Sequence, residues 1–318
     1  MQRIDNKANP VEVKVKIAFK AAKKDVIKNR YLYVMLIPVV SYYVIFHYIP
    51  MYGAQIAFKE FMPMRGIAGS PWVGWANFQD FFQSFYFKRV VTNTLLLSFT
   101  NIIFGFPAPI ILALLLNEVR NNLFKRTAQT VTYLPHFISL VVVCGLILDF
   151  TSTEGLINDI LATFGIKAIP FMTRPVWFRP IYVITDIWQE VGWGSIIYLA
   201  ALSAIDPEQY EACKIDGGGR FRQLLSITLP GITPTIIILL LLRLGRIMNI
   251  GSEKILLLFN ELNAESADII ASFVYRRGLI DMNFSYSSAV GLFNSIINLT
   301  FLVVLNKISR KLSETSLW

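Results

Sequence analysis

Long apolar runs, separated by short charged segments, limit what this chain can fold into more than any other feature. A helix needs about 20 mostly apolar residues to cross the roughly 30 Å hydrocarbon core of a bilayer. The 318-residue sequence is 54% hydrophobic and 16% charged, with a mean hydropathy of +0.52. An average soluble domain carries about 25% charged residues. The sequence therefore predicts an all-α integral membrane protein.

Six of these apolar runs are predicted to span the membrane as transmembrane helices. An even number of spans places both chain termini on the same side of the bilayer. The predicted spans cover residues 31–48, 90–116, 131–150, 180–205, 232–250 and 289–305.

The distribution of positive charge predicts which side that is. The N-terminal segment 1–30, the loop 117–130, the segment 206–230 and the C-terminal end hold 18 of the 30 Lys and Arg residues. Lys and Arg are enriched in cytoplasmic loops. We therefore predict a basic cytoplasmic tail over 1–30, a transmembrane domain over 31–318, and cytoplasmic N and C termini. Part of the tail could equally lie as a basic amphipathic helix on the inner membrane face. The net charge of +9 then reflects topology and not a nucleic-acid partner.

The segment 206–230, called loop 206–230 below, is polar although it lies between two apolar spans. Asp206 is a favourable N-cap, with Pro207 at the first helical position. The glycines at 217–219 would end a first helix, because glycine adopts left-handed backbone without penalty. A second helix would follow, with Pro230 marking the turn into the next span. Its apolar face would anchor the loop on the membrane domain through Phe221, Leu224 and Leu225.

Loop 206–230 resembles a cytoplasmic motif in the membrane subunits of binding-protein-dependent ABC importers. That motif reads E-A-A, three residues, G, nine residues, I, one residue, L-P. The departure is Cys213, a small residue in place of the second alanine. The matching positions are Glu211, Ala212, Cys213, Gly217, Ile227, Leu229 and Pro230.

The resemblance extends over nearly the whole chain after the basic tail. The chain is similar to the carbohydrate-uptake branch of these permeases, including LplB-like polysaccharide and oligosaccharide permeases and the maltose-type and alginate-type membrane subunits. The resemblance implies a type I, MetI-like permease fold. The stretches that carry it are MYGAQIAFKEF, GSPWVGWANF, YRRGL, SSAVGLFNSIINL and SETSLW.

The resemblance also implies a mechanism and a set of partners. The loop would sit in a cleft of an ATP-hydrolysing subunit, with Glu211 and Gly217 at the centre of the contact and Ala212 and Asp216 beside them. Two copies of that subunit would bind ATP and Mg²⁺, so this chain would need no cofactor. A second homologous permease would complete a heterodimer in the lipid of a bacterial plasma (inner) membrane. An extracellular or periplasmic solute-binding protein would deliver the sugar.

Simpler interpretations of the loop remain open at this stage. Loops of this length are often solvated connectors, and Glu211 could form a surface pair with Lys214 three residues on. The sequence also lacks the G-x-x-x-x-G-K-[ST] phosphate loop, so this chain is not predicted to be the ATPase or any other enzyme. His47 and His136 are far apart and are expected to be packed or interfacial rather than ligands, and no metal site is predicted.

Four charged residues lie within the predicted fourth and fifth spans, where charge is costly and usually faces a cavity or a partner. Asp186 and Arg243 fall at similar predicted depths, at about 1.5 Å per residue from the span ends. We expect them to form a structural ion pair. Arg246 is instead expected to line a polar sugar path, and its charge would suit an acidic sugar such as a uronate oligomer. The other residues predicted for this path are Trp188, Glu190, Trp193, Asn249, Asn294 and Asn298.

The loop between the last two spans predicts an amphipathic helix over 264–277, with Asp268 on its polar face. It could contact the solute-binding protein, as the resemblance implies, or lie on the membrane surface. The competing functional class is an ion-gradient-driven secondary sugar transporter. That class typically shows inverted repeats and acidic relays, and it gives loop 206–230 no role.

Overall fold

The computed structural model describes residues 24–312 of the chain, and side chains as far as residue 310. Most of the basic tail, and the SETSLW stretch that supported the resemblance, lie outside the described residues. The chain divides into two units after Gln55. The main helices are α1 Arg30–Phe58, α2 Ala76–Gln83, α3 Phe85–Glu118, α4 Asn122–Phe137, α5 Leu140–Phe150, α6 Leu156–Thr163, α7 Pro175–Ser203, α8 Pro207–Ile215, α9 Arg220–Leu244, α10 Ser252–Leu258, α11 Ile270–Tyr275 and α12 Phe284–Leu312.

Four of the described helices, α1, α3, α9 and α12, are long and apolar enough to cross a membrane. The helices α4 and α5 pass the same test as a pair bent by 96°, which would make a fifth span. Helix α7 has 29 residues, but Asp186, Gln189 and Glu190 lower its mean hydropathy. The described chain is therefore a helical membrane protein with four or five candidate spans. The predicted sixth span and the cytoplasmic side of the termini stay predictions.

Helix α7 is the centre of the second unit and contacts α3, α4 and α9. Its buried face includes Phe178 and Tyr182, which pack with residues of α3, α5 and α10. Further along, Tyr198 and Leu202 pack with Ile232 of α9. The polar residues of α7 thus lie on a helix that α3, α4 and α9 all contact.

Helices α4 and α7 approach closely because of a glycine. A β-carbon at Gly192 would lie 2.0 Å from the backbone oxygen of Thr132. Small residues allow this kind of backbone approach between membrane helices. Gly192 therefore allows the short distance between α7 and α4 at Thr132.

The predicted amphipathic helix over 264–277 is wrong. The chain forms one helical turn at Ala264–Ala267, becomes extended at Asp268 and Ile269, and then enters α11. Asp268 is completely buried, with Arg276 and Arg89 at 2.6 Å and 3.2 Å from its two carboxylate oxygens. A buried carboxylate is tolerated when it is paired and hydrogen-bonded. Two arginines meet that requirement, and one of them, Arg89, is 179 residues away in sequence, so no periodicity within 264–277 could reveal it.

Candidate functional site

Loop 206–230 contains the expected helix, glycine break and second helix. The Asp206 side chain caps α8 by accepting a hydrogen bond from the Glu208 amide at 3.0 Å. At the other end, Gly217 has a φ of +77°. The Gly217 amide donates to the Lys214 oxygen at 3.0 Å, and the Gly218 amide donates to the Cys213 oxygen at 2.7 Å. These two bonds form a Schellman motif, which needs a left-handed residue where Gly217 stands.

The small side chain of Cys213 also has a structural reason. A β-carbon at Gly218 would lie 2.3 Å from Cys213 Sγ, so the side chain at 213 fills the space beside Gly218. One contact joins α8 to α9, and a second joins the glycine break to α9. Tyr210 Oη lies 3.1 Å from Thr228 Oγ1, and Gln223 Nε2 donates to the Gly218 oxygen at 3.2 Å.

The expected turn at Pro230 is wrong. Helix α9 runs without a break from Arg220 to Leu244, and a π-helical turn occupies Leu224–Thr228 just before Pro230. Proline lacks an amide donor and clashes with the preceding helical turn. A π turn absorbs one extra residue, so the helix accommodates the proline and continues. The second helix of the loop and the following span are therefore one continuous rod.

The residues of the importer motif lie on an accessible surface. Glu211, Ala212, Asp216, Gly217 and Pro230 are exposed, whereas Cys213, Ile227 and Leu229 are half-buried. Among the salt bridges of residues 24–310, none involves Glu211. The surface pair between Glu211 and Lys214 is therefore not formed.

The apolar residues of the loop are also exposed. Phe221 and Leu225 were expected to anchor the loop on the membrane domain, but they are 72% and 50% exposed, and Ile215 is 86% exposed. That anchoring is wrong, because the continuous α9 already holds the loop in place. Exposed apolar patches mark interaction sites. Loop 206–230 thus presents the unpaired carboxylate of Glu211 together with three uncovered apolar side chains.

A second group of functional candidates forms a polar chain through the membrane domain, which we define as Lys254, Asp186, Asn101 and Arg243. The Arg243 guanidinium donates to Asn101 Oδ1. Asn101 Nδ2 donates to Asp186 Oδ2 at 2.7 Å, and Lys254 Nζ lies 3.8 Å from Asp186 Oδ1. The chain connects α9, α3, α7 and α10.

The direct ion pair expected between Asp186 and Arg243 is wrong. Asn101 lies between the two charges, and Lys254 is the cation that pairs with Asp186 within the described chain. Lys254 is 3% exposed. Burial lowers the pKa of its ammonium group, and the charge of Asp186 opposes that shift. The sequence places Lys254 in the loop between the last two predicted spans, and neither Lys254 nor Asn101 is among the predicted site residues.

The position of Asn101 depends on an irregular turn in α3. Asn101 begins a π-helical turn over Asn101–Gly105 and is 2% exposed. A β-carbon at Gly105 would lie 2.9 Å from Asn101 Oδ1 and 3.6 Å from Arg243 Nη2. π turns are frequent at functional sites. An asparagine in an apolar span, followed four residues later by glycine, was the available signal.

Three cavities follow the polar chain. The first has a volume of about 520 Å³ and is lined by Asn101, Arg243, Arg246 and Asn249, among others. Another, of about 510 Å³, is lined by Lys254, Asp186, Glu190 and Asn249. A smaller cavity of about 150 Å³ is lined by Arg243, Asp186, Glu190 and Trp193. The three cavities share lining residues with one another and with the polar chain, and we call them together the polar route.

Four of the seven predicted path residues, Glu190, Trp193, Arg246 and Asn249, line these cavities. The other three do not. Asn294 is buried behind the route and donates to Asn249 Oδ1 at 2.6 Å. Asn298 accepts from the Met248 amide at 3.0 Å, and Trp188 is 47% exposed but lines none of the three cavities.

His136 contacts two of the predicted path residues. Its ring stacks on Trp193 at 4.5 Å with an angle of 3° between the planes. Its Nδ1 lies 3.1 Å from Glu190 Oε2, and it lines the cavity of about 510 Å³. The His136 ring is packed, as expected. It also holds Trp193 and Glu190 in position beside the route.

Comparison with known proteins shows which family this chain matches. The family described as the binding-protein-dependent transport system inner membrane component matches residues 88–314. Protein LplB of Bacillus subtilis (strain 168) is 45% identical over 303 residues, which cover 95% of this chain and 94% of LplB. The polygalacturonan/rhamnogalacturonan transport system permease protein YteP of the same strain is 44% identical over 293 residues, which cover 92% of this chain and 91% of YteP.

A solved structure is similar over the same extent. It is a bacterial alginate ABC transporter in complex with an alginate pentasaccharide-bound periplasmic protein. One of its chains is 41% identical with a TM-score of 0.86, covering 92% of this chain and 99% of that chain. The range matched by the family, residues 88–314, includes loop 206–230 and all four members of the polar chain.

Proposed function

Because the chain belongs to the family of inner membrane components of binding-protein-dependent transport systems, we propose that it is the membrane-spanning permease subunit of an oligosaccharide importer of the ATP-binding-cassette type. The importer moves sugar that a solute-binding protein delivers, by alternating access that a separate ATPase subunit drives. The all-helical fold is the MetI-like fold of such permeases. The exposed surface of loop 206–230 is the observation that carries the proposal.

The loop is suited to receive force from a partner. Glu211 is exposed and unpaired among the described residues, and Ile215, Phe221 and Leu225 offer apolar contact area next to it. Helix α9 begins within the loop at Arg220 and has 25 residues in all, or about 37 Å at 1.5 Å per residue. A displacement of the loop is therefore passed along a single rod to Arg243 in the polar chain.

The proposed assembly contains more than this chain. Two copies of an ATP-binding subunit, which carry ATP and Mg²⁺, bind at the cytoplasmic loops of this permease and of a second homologous permease. The solute-binding protein docks on the opposite face. In this arrangement the chain has six spans, counting α7 and the bent pair α4–α5, with both termini in the cytoplasm of a bacterium.

An acidic oligosaccharide suits the polar route. Arg243 and Arg246 both line the cavity of about 520 Å³ and are both exposed. Polygalacturonan and alginate, which are named for two of the similar proteins, are polymers of uronic acids. Guanidinium groups bind carboxylates through paired, charge-assisted hydrogen bonds. We therefore assign uronate oligomers as the substrate class, with Glu190, Trp193 and Asn249 as further contacts on the route.

Copurification tests the role of the loop. Glu211→Ala should reduce the ATPase retained by the purified permease by about tenfold, the change that corresponds to one hydrogen bond to a charged group. Glu208→Ala, an exposed carboxylate on the same helix outside the motif, is the matched control and should retain the ATPase. Equal retention by both variants would remove Glu211 from the contact.

Transport energetics separate the importer from the competing class. Uptake of oligogalacturonate by the assembled importer should require ATP and the binding protein. Uptake that continues without ATP and follows a proton or sodium gradient would overturn the importer in favour of a secondary transporter. The family match supports the importer, and no feature of the described chain favours the gradient-driven alternative.

A further inference from the structure

The hydrogen-bond acceptor of the Arg243 guanidinium is a neutral side chain that an anion could replace. The guanidinium donates to the side-chain oxygen of Asn101, a neutral acceptor. The guanidinium is also exposed to the cavity of about 520 Å³. Asn101 itself is 2% exposed. Both residues line the cavity, but Arg243 presents much more surface than Asn101 to a molecule inside it.

A carboxylate would compete well for that guanidinium. Asn101 offers Arg243 one neutral acceptor oxygen, whereas a carboxylate carries the opposite charge and can accept two parallel hydrogen bonds from the guanidinium. Arg246 lines the same cavity, and no salt bridge of residues 24–310 involves it. The cavity thus offers two cations, of which one is held by a neutral acceptor.

Loss of the Arg243 contact would separate α9 from α7 in the polar chain. Asn101 is the only described residue that bridges Arg243 and Asp186 by side-chain hydrogen bonds. Asp186 would keep a counter-charge after the break, because Lys254 Nζ lies 3.8 Å from its other oxygen. The bridge can therefore open without leaving the half-buried carboxylate of Asp186 unpaired.

We propose that Asn101 is a latch between α7 and α9, and that the carboxylate of an acidic sugar opens it by taking Arg243 away from Asn101. This inference rests on the proposed function, since it assumes that uronate oligomers enter the cavity. With the latch open, α9 moves relative to α7. Because α9 is continuous with loop 206–230, this movement transmits the arrival of substrate to the ATPase bound at the loop. A neutral sugar lacks the group that displaces Asn101.

ATP hydrolysis by the importer reconstituted in liposomes tests the latch. The rate is measured with the binding protein empty and with it loaded with oligogalacturonate. Asn101→Leu keeps the size of the side chain and removes both hydrogen bonds. It should raise the unloaded rate by about tenfold, the change expected for one hydrogen bond to a charged group, and leave the loaded rate unchanged.

Two further variants make the result interpretable. Asn101→Ser retains a small polar group that is too short to join Asp186 to Arg243, so it should also raise the unloaded rate. Thr100→Val is the matched control, because Thr100 Oγ1 donates only to the Leu96 oxygen of its own helix. It should keep the wild-type ratio of loaded to unloaded rates. A purely structural role for Asn101 would instead lower both rates together.

The remaining outcomes separate the latch from the proposed function. If both Asn101 variants keep the wild-type ratio, or lower both rates in proportion, the latch is overturned. Carboxyl-reduced oligogalacturonate, compared at matched occupancy of the binding protein, should not stimulate the wild-type importer. Equal stimulation would overturn the carboxylate trigger and leave the importer intact. Failure of the wild-type importer to take up any oligosaccharide would instead contradict the proposed function.

Discussion

Asp268 Oδ1 lies 2.6 Å from Arg276 Nη2, and the carboxylate has no exposure to solvent. Arg89 of α3 contacts the second oxygen at 3.2 Å. One carboxylate therefore joins the segment before α11 to a spanning helix. Breaking a buried pair costs far more than breaking an exposed one, because it leaves uncompensated charge.

We expect Asp268→Asn to destabilise the protein by about 3–5 kcal/mol, since both arginines lose their counter-charge. Thermal unfolding in detergent measures the effect. Asp281→Asn is the control. It removes an ion pair with Arg277 at 3.0 Å whose side chains are 45% and 38% exposed, and it should cost less than about 1 kcal/mol. Equal losses of stability for the two variants would show that the buried ion pairs of Asp268 do not stabilise the fold more than an exposed pair does.

Gly217→Ala should weaken the attachment of the ATPase. The left-handed backbone at φ +77° costs a residue with a β-carbon about 1–2 kcal/mol, so the end of α8 would be distorted. Gly219→Ala is a matched control, because a β-carbon there meets nothing within 4 Å and its φ is −72°. Copurification of the ATPase should fall for the first variant and remain for the second. The opposite order would contradict the role of the Schellman motif.

Gly192→Ala should be among the most damaging single-methyl changes. The added carbon would lie 2.0 Å from the Thr132 oxygen, and both atoms belong to packed helix backbones. Overpacking of this kind costs about 3 kcal/mol, so folded yield and melting temperature should both fall. At Gly145 of α5 nothing lies within 4 Å of an added β-carbon, and Gly145→Ala should keep the wild-type yield. A normal yield for Gly192→Ala would mean that α4 and α7 separate freely.

Arg246→Gln should lower the uptake of oligogalacturonate without lowering stability, because no salt bridge of the described chain depends on Arg246. We expect the half-saturating concentration to rise by about tenfold, the loss of one charged hydrogen bond. Arg65→Gln removes an equally exposed arginine that lines none of the three cavities of the route, and it serves as the control. Unaltered uptake by Arg246→Gln would remove Arg246 from the path.

Loop 206–230 shows how much structure can be predicted from residues that are close together in sequence. The N-cap at Asp206, the end of α8 at Gly217 and the motif from Glu211 to Pro230 are all decided by residues a few positions apart, and the helical turns appear where they were expected. Pro230 is the exception, because a π turn at Leu224–Thr228 lets the helix continue. Proline predicts a helix boundary only when the preceding turn stays regular, which sequence pattern does not report.

The polar route shows the limit of that reasoning. Equal depth made Asp186 and Arg243 a plausible ion pair, but depth leaves the rotation of each helix about its axis undetermined. That rotation decides whether two charges meet or whether Asn101 lies between them. The same applies to Lys254, whose pairing with Asp186 depends on how α10 folds back against α7.

The sequence by itself determined the helical membrane class, the two-helix loop and the resemblance to importer permeases, because these depend on apolar length and on residues close together in the chain. The tertiary structure alone decided which polar groups meet. Asn101 is 85 residues from Asp186 and 142 residues from Arg243, and Lys254 lies on a fourth helix. These groups meet because of how the helices pack and rotate, which includes close approaches at Gly105 and Gly192.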